Sequence, residues 1–484
     1  MAYDDFQQFL ARLEREGELH RIHHPLNPRL EITEVADRVM KSPNGGKALL
    51  IEKPVDSTIP VAINTFGSRR RMSLALGVED LEDIAREIER LLQPEVPQGW
   101  IAKIQMLPKL GRLAAMAPRR VSTGICQEVV HTGEDVDLGR LPILTCWPQD
   151  GGPFITLPLV FTHDPATGKR NVGMYRMQVY DRNTTGMHWQ LHKVGAEHYR
   201  KSEEAQSPIS VAVALGGDPV LTYAATAPLP PGIDEIAFAG FLRGKPVEMV
   251  PCKTVDLQVP ASAEIVLEGT VNPFERRPEG PFGDHTGYYT PVEPYPVFHI
   301  TAITHRKNPV YPTTIVGRPP MEDAWLGKAT ERIFLPIIRM VIPELVDLNL
   351  PVEACFHNLA LVSIRKRYPG HAFKVMHALW GLGQLMFTKM IFVFDADVNV
   401  QDLGECLWRG TNNLDPERDV LITRGPVDVL DHSSPLEGFG SKIGFDCTRK
   451  LPGEGYTRVW PDVITMDPDT RRRIDDLWPR LGLG

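Results

Sequence analysis

Cysteine is scarce and scattered: Cys126, Cys146, Cys252, Cys355, Cys406 and Cys447 form no C-x-x-C pair in 484 residues. That argues against a zinc ribbon or a disulfide framework and predicts small buried thiols in a reducing cytosol. A basic excess is also missing. With 53 Lys and Arg against 61 Asp and Glu, the chain carries a formal charge of -8, so the clustered basic surface of a nucleic-acid binder is not expected. The runs Arg69-Arg70-Arg71, Arg119-Arg120 and Arg471-Arg472-Arg473 read as solvated faces. No apolar run approaches the ~18 residues of a membrane span. Met1-Ala-Tyr-Asp-Asp lacks the basic start and apolar core of a signal peptide. A cytoplasmic protein, at most peripherally membrane-associated, is expected. Also missing are G-x-x-x-x-G-K-[ST], a post-strand G-x-G-x-x-G and G-x-S-x-G, so ATP, dinucleotide and serine-hydrolase chemistries lose support. Asp395-Ala-Asp-Val-Asn399 starts like a calcium loop but has Val400 and Cys406 at its sixth and twelfth positions, and reads as a strand-end turn. His20, His23 and His24 lack ligand partners and read as surface residues.

What is present is a soluble composition, 42% hydrophobic and 24% charged, with 43 prolines and 40 glycines that favour strands and loops. The length predicts two or three domains. Helical spacing of Phe6, Phe9, Leu10 and Leu13 after Asp4 or Asp5, then helices near 30–40 and 81–92 around strands 48–51 and 61–66, predict an α/β unit. Pro94-Glu-Val-Pro-Gln-Gly99 reads as its exit linker. Between about 122 and 315 the texture is β, with runs at 155–162, 172–180, 209–215, 264–271 and 297–305 predicting an antiparallel barrel or sandwich. From Pro320 a second α/β unit is predicted, with helices at 323–337 and 371–386 and strands at 359–364 and 390–394. Its Asp323-Ala-Trp-Leu326 and Ile333-Phe-Leu335 suit either a core or a self-association face.

The chemistry concentrates in Arg277-Pro-Glu-Gly-Pro-Phe-Gly-Asp-His-Thr-Gly-Tyr-Tyr289. Its prolines and glycines predict a fixed loop after the 264–271 strand. Phe282, Tyr288 and Tyr289 are placed to wall Glu279 and Asp284 off from water. Burial beside a second carboxylate raises a carboxyl pKa and makes an acid of it. Alternatively, the two carboxylates simply bond the amides of their own turns.

Asn171-Val-Gly-Met-Tyr-Arg176 opens a run whose alternation puts Asn171, Gly173 and Tyr175 on one face and Arg176 on the other. Gly186-Met-His-Trp-Gln-Leu-His192 adds two imidazoles and an indole, each also compatible with a satisfied sheet position. Glu235 opens a helix reaching Leu242, where a carboxylate is commonly a dipole partner. Asn171, His192 and Glu235 together offer an amide oxygen, an imidazole and a carboxylate, a set suited to Mn²⁺ or Mg²⁺, although their spacing is no signature.

Five stretches carry a resemblance: Asn171-x-Gly-x-Tyr-Arg176, Met187-His-Trp-x-x-His192, Pro260-Ala-Ser-Ala-Glu-Ile-Val-Leu-Glu-Gly269, Pro278-Glu-Gly-Pro-Phe-Gly-Asp-His-Thr-Gly-Tyr288 and Gly440-Ser-Lys-x-Gly-x-Asp446. With Phe9-Leu-x-x-Leu-x-x-x-Gly-Glu-Leu19, they make the chain resemble the UbiD-type decarboxylases nearly end to end. It is most similar to the bacterial branch acting on 4-hydroxy-3-polyprenylbenzoate in ubiquinone biosynthesis. The resemblance implies an α/β (α+β) protein with an N-terminal α/β domain (1–118), a central split β-barrel binding prenylated FMN (119–318) and a C-terminal α/β oligomerisation domain (319–484).

It further implies reversible non-oxidative decarboxylation of an aromatic acid with release of CO₂, Mn²⁺ or Mg²⁺ and often K⁺ beside the cofactor phosphate, a UbiX-type flavin prenyltransferase as cofactor supplier, and a homo-oligomer, dimer or hexamer. Carried over by motif, the metal ligands are Asn171, His192 and Glu235. The cofactor contacts are Met174, Tyr175, Arg176, His188, Trp189, Gln190 and Lys193, and the catalytic network is Arg176, Glu279 and Asp284. Asp284 stands where some branches have Glu, and Lys193-Val194 replaces the Arg-Gly of the ubiquinone branch. In this reading Arg176 holds the substrate carboxylate and Asp284 delivers the proton, which needs its pKa lifted by roughly 3 units from ~3.9. A plain FMN-binding redox protein and a metal-dependent hydrolase on Asn171, His192 and Glu235 stand as readings of other classes.

Overall fold

The computed structural model describes residues 2–92, 116–190, 193–230 and 232–483. The stretch 94–99, expected as a linker, and His192 lie outside them. The first helix, Phe6–Arg15, starts where Asp5 accepts the amide of Gln8 at 2.8 Å, and it buries Phe6, Phe9, Leu10 and Leu13. Helices Glu31–Met40 and Leu81–Leu92 also follow their apolar spacing. Strands Leu19–Ile22, Ala48–Ile51 and Val61–Ile63 form a sheet with Tyr311–Pro312, so the chain returns to this first unit after the central one.

One basic run departs from expectation. Arg69–Ala75 is a helix, and Arg71 is fully buried, donating to the carbonyls of Gly45 at 2.9 Å and Gly46 at 2.6 Å and pairing with Glu18 at 3.0 Å. Its partners are carbonyls of a left-handed turn, which charge patterning cannot reveal.

The central sheet has seven strands, with Ile265–Glu279 and Glu293–His305 as its spine, flanked by Ile209–Leu215, Leu159–His163 and Arg170–Gly173 on one side and Thr184–Gly186 and Val129–Thr132 on the other. Among the described residues it does not close, so the expected barrel is an open, twisted sheet. Both faces are buried. Phe161, Ala212, Ala214 and Val266 enter one core, whereas Val160, Val211, Val213 and Leu267 enter the other. That two-sided burial explains runs without polar alternation. The strand expected to end at 271 continues to Glu279, pairing Arg277, Pro278 and Glu279 with Tyr295, Pro294 and Glu293. Pro278 is tolerated because Ile209–Leu215 pairs with this strand only as far as Val271, leaving an open edge beside the proline.

In the third unit the helix Asp323–Val341 buries Ala324, Leu326, Ile333, Phe334 and Leu335, so these apolar residues belong to the core and not to a self-association face. Beyond it a five-stranded sheet runs Leu345–Asn349, Leu359–Ile364, Met390–Asp395, Phe439–Asp446, Val420–Pro426. The helix His371–Trp380 is shorter than predicted, because Gly381 caps it and a 3₁₀ turn, Gly383–Phe387, follows. Five of the six cysteines are buried, and Cys252 is half-buried. Among the described residues no helix is long and apolar enough to cross a membrane.

Candidate active site

Arg176 follows the strand Arg170–Gly173, in which Asn171 reaches forward to Tyr175, Nδ2 donating to the Tyr175 hydroxyl at 3.5 Å. The guanidinium lies over Phe282, 4.6 Å from its ring centre. Nε donates to Glu279 Oε1 at 3.1 Å, Nη2 to Thr290 Oγ1 at 3.2 Å, and Nη1 to Asp284 Oδ2. Glu279 is fully buried, and its second oxygen accepts His188 Nδ1 at 3.0 Å. Burial works to raise the Glu279 pKa, but the His188 hydrogen bond and the Arg176 charge outweigh it and hold the carboxyl below its usual range. His188 in turn packs on Tyr295, ring centres 4.1 Å apart. Gly186 lets this knot close, since a Cβ there would meet Glu279 Cγ at 3.2 Å and the Tyr180 hydroxyl at 2.8 Å.

Two polar side chains outside the expected set fix the loop. Asp150 accepts the amides of Gly283 at 2.9 Å, Trp147 at 2.8 Å and Cys146 at 3.1 Å. Gln178 accepts the amide of Gly280 at 2.7 Å and donates to the Gly151 carbonyl at 2.8 Å. The carboxylates therefore do not merely cap their own turns, because the loop is held from other segments.

Asp284 departs from the sequence-based expectation of a raised pKa. Burial does push it up, but the hydrogen bond from His285 and the charge of Arg176 hold it well below the ordinary carboxylate range. His285 donates to Asp284 Oδ1 through both its backbone amide, 2.7 Å, and Nδ1, 3.0 Å. Its own pKa, which burial would lower, is lifted to about 9 by Asp284, with Asp323 and Asp428 adding to the field. Nε2 of His285 meets Nε2 of His357, from the third unit, at 2.7 Å. Burial and the neighbouring His285 push His357 down to about 4, which makes His285 the donor in that contact. Half-buried Asp323 is raised to about 7 by desolvation. His285, His357, Asp150 and Thr290 were missed by sequence reasoning, although His285 stands beside Asp284 in the motif itself.

A second corner gathers around Asn171. Glu235 is the first residue of the helix Glu235–Arg243, and its carboxylate accepts the amide of Val172 at 3.1 Å. Its neighbour Asp234 takes Arg170 at 2.7 Å, so Glu235 is left without an ion-pair partner among the described residues. Burial raises its pKa to about 7. Tyr175, 7% exposed, accepts the amide of Gly195 at 3.4 Å. Met174 is half-buried and packs against the hydrophobic core. Trp189 is buried with Nε1 unpartnered among the described residues, and so is His188 Nε2. Gln190 is half-buried, and its carbonyl accepts the amide of Lys193. Lys193 precedes the helix Val194–Glu204, and burial pushes its ammonium pKa down with only Asp428 opposing. These features fit the implied groups: two ring nitrogens without a partner among the described residues and a lysine ammonium that burial destabilises suit a polar, anionic ligand such as a flavin phosphate. A half-buried carboxylate without an ion pair among the described residues, beside an amide, suits a hard divalent cation.

Three family models match along the chain, described as the N-terminal (10–91), Rift-related (119–319) and C-terminal (324–447) domains of 3-octaprenyl-4-hydroxybenzoate carboxy-lyase. An uncharacterized protein of Aquifex aeolicus is 56% identical over 482 residues, 99% of both chains. The UbiD-class enzyme HmfF of Pelotomaculum thermopropionicum, solved with FMN, is 31% identical with a TM-score of 0.78, covering 94% of this chain and 97% of its own. An evolved dimeric form of HmfF, solved with prFMN, is 29% identical with a TM-score of 0.77, covering 95% and 97%. Vanillic acid decarboxylase of Sedimentibacter hydroxybenzoicus, in closed form, is 28% identical with a TM-score of 0.86, covering 100% of both chains.

Proposed function

This chain belongs to the UbiD family of carboxy-lyases, and on that premise we propose that it decarboxylates a phenolic aromatic acid with prenylated FMN. The observation that carries the reading is the buried knot of Arg176, Glu279, Asp284 and His285. A redox flavoprotein has no evident use for two carboxylates converging on one guanidinium, whereas CO₂ loss and ring protonation need both an anion clamp and an acid.

The cofactor, when bound, accepts the electron pair left on the ring carbon as CO₂ departs. His188, Trp189, Gln190, Lys193 and the Met174-Tyr175-Arg176 segment would hold it. Asn171, Glu235 and His192 would carry Mn²⁺ or Mg²⁺ at its phosphate.

In the substrate-free site every side-chain nitrogen of Arg176 is engaged, Nη1 by Asp284. An arriving substrate carboxylate competes for that nitrogen with a fork-shaped contact of its own. Displaced from Arg176, Asp284 loses the charge that keeps its pKa low and gains an anionic neighbour, and both raise its proton affinity. His285, in contact with Oδ1, supplies the proton. Substrate binding thus creates the acid that the resting site lacks. Glu279 holds Arg176 in place and offsets its charge, loosening its grip as the carboxylate turns into neutral CO₂. Asp284 then delivers its proton to the emptied ring carbon, one proton consumed for each CO₂ released.

The first substrate to test is 4-hydroxy-3-polyprenylbenzoate, giving 2-polyprenylphenol. A second reading, another phenolic, naphthoic or heteroaromatic acid, draws support from the likeness to vanillic acid decarboxylase and HmfF. Co-production with a flavin prenyltransferase, mass spectrometry of the bound flavin and a CO₂-release screen of these acids test the proposal. Prenylated FMN and turnover of at least one acid are expected. A colourless protein, or one holding plain FMN and inert toward every acid after reconstitution, would overturn it.

A further inference from the structure

The contact of His285 with His357 joins the loop of the central unit to the third unit, and the backbone that delivers His357 is strained. His357 follows the 3₁₀ turn Val352–Ala354, after which Cys355 and Phe356 both take left-handed φ, +55° and +48°. Consecutive left-handed residues other than glycine are sterically costly, and such strain gathers where a side chain has to be aimed. The segment is nevertheless held firmly. Phe356 donates its amide to the Pro351 carbonyl at 3.0 Å, and the Asn358 carbonyl accepts the amides of Lys389 at 3.1 Å and Met390 at 2.8 Å. Gly327 makes room for it, since a Cβ there would meet the Phe356 ring at 2.9 Å. Phe356 and His357 then both lie against the His285 ring, with centres 5.5 Å and 5.0 Å away.

His285 has one nitrogen for each neighbour: Nδ1 donates to Asp284 Oδ1 at 3.0 Å, and Nε2 meets His357 Nε2 at 2.7 Å. Among the described residues, His357 is the one acceptor within hydrogen-bond distance of that Nε2. The charges facing His285 come from three elements: Asp284 of its own loop, with Arg176 beyond it, Asp323 at the start of the helix Asp323–Val341, and Asp428 after the strand Val420–Pro426. Burial, the charge of His285 and that of Lys193 keep His357 itself neutral. The hydrogen bond made by one ring nitrogen of a histidine decides what the other nitrogen can do. With Nε2–H of His285 engaged by His357, the proton left to move is the one on Nδ1, which already faces Asp284.

We propose that His357 is a positioning residue for the reaction: by accepting Nε2–H it keeps His285 doubly protonated and directs the Nδ1 proton to Asp284. The inference rests on the decarboxylase reading and adds to it a residue of the third unit, without which the proton supply is incomplete. Nδ1–H of His285 breaks as Oδ1–H of Asp284 forms, Nε2–H stays on His285, and solvent returns one proton to Nδ1 after each turnover. His357 keeps its own proton, on Nδ1, throughout.

Nitrogen NMR of the full-length protein carrying prenylated FMN and isotope-labelled histidine, with signals assigned through His285→Gln and His357→Gln, tests the arrangement without turnover. At neutral pH His285 should be protonated on both nitrogens, and His357 should be neutral with a bare Nε2. A proton on His357 Nε2 facing a bare Nε2 of His285 would overturn the proposal. Turnover of the acid found in the CO₂ screen gives the second arm, at equal flavin absorbance. His357→Phe keeps an aromatic ring but removes the acceptor, whereas His357→Gln keeps an acceptor. The Phe variant should lower kcat about fivefold with KM unchanged, as loss of a hydrogen bond to a charged group implies. It should also bring the alkaline limb of kcat/KM, expected at about 9 in wild type, down by roughly one pH unit. The Gln variant should recover most of both. A Phe variant with the wild-type profile, or a Gln variant no better than Phe, would contradict the positioning role. A wild type that turns over no acid would count against the decarboxylase reading instead, and the nitrogen spectra would still decide the placement of the proton.

Discussion

Asp284 is a buried carboxylate and Glu235 a half-buried one, and they are driven in opposite directions. Arg176 and His285 hold Asp284 ionised and far below its usual range, whereas Glu235, with Arg170 taken by Asp234, is lifted to about 7. Burial disfavours charge in both, so the difference lies in whether the chain supplies a cation. Where it does, the corner is electrostatically complete, and only an incoming anion can change the proton affinity of its acid. Where it does not, the proposed divalent cation would complete the corner.

Removing the cation from the complete corner should break the contrast most severely. Arg176→Ala leaves Glu279 and Asp284 buried without their shared partner, so kcat/KM should fall at least ~10³-fold and stability by about 3 kcal/mol, read by CO₂ release and urea unfolding. Asp284→Asn keeps the loop and the flavin spectrum but should lower kcat by about 10³-fold, within the range of a lost general acid. At the other corner, Glu235→Gln should weaken Mn²⁺ binding by ~100-fold or more in titration calorimetry, since even outer partners of metal ligands cost 10 to 100-fold. Mn²⁺ should raise the melting temperature of wild type and leave this variant nearly unmoved.

The smallest effect concerns His285. Its folded pKa of about 9 exceeds its ordinary 6.5, so the stability it contributes is complete below about pH 6.5 and is lost as pH rises through 9. Asp284, depressed, contributes stability above its ordinary pKa that is lost on acidification; the two shifts describe one interaction and are counted once. His285→Gln should flatten the alkaline limb of a melting-temperature profile, by about 3 kcal/mol between pH 6 and 10, and cost only about tenfold in kcat.

Much of this arrangement was legible in the residues. The apolar spacing of 6–13, 31–40 and 81–92 and the runs at 209–215 and 359–364 became the expected elements because local periodicity and burial agree there. The side chains of Asn171 and Tyr175 do meet, but the strand ends at Gly173, so the alternation expected through Arg176 stops before it. What stayed hidden depends on contacts between segments distant in the chain. The burial of Arg71 needs carbonyls from a turn at 45–46, and the low pKa of Asp284 needs a guanidinium from position 176. The strand through Pro278 exists because its far edge is open. His357 reaches the site only through tertiary packing, so no local pattern marks it. His192 lies outside the described residues, and its place beside Asn171 and Glu235 remains part of the proposal.

Proton exchange at the vacated ring carbon tests the central claim most directly. The phenolic product of the identified acid, incubated in D₂O with protein carrying prenylated FMN, should gain deuterium at that carbon by the reverse of the protonation step. Asp284→Asn, with equal flavin absorbance, should abolish the gain. Equal deuterium incorporation by both proteins would contradict Asp284 as the proton donor and, with it, the account of an acid created by substrate arrival.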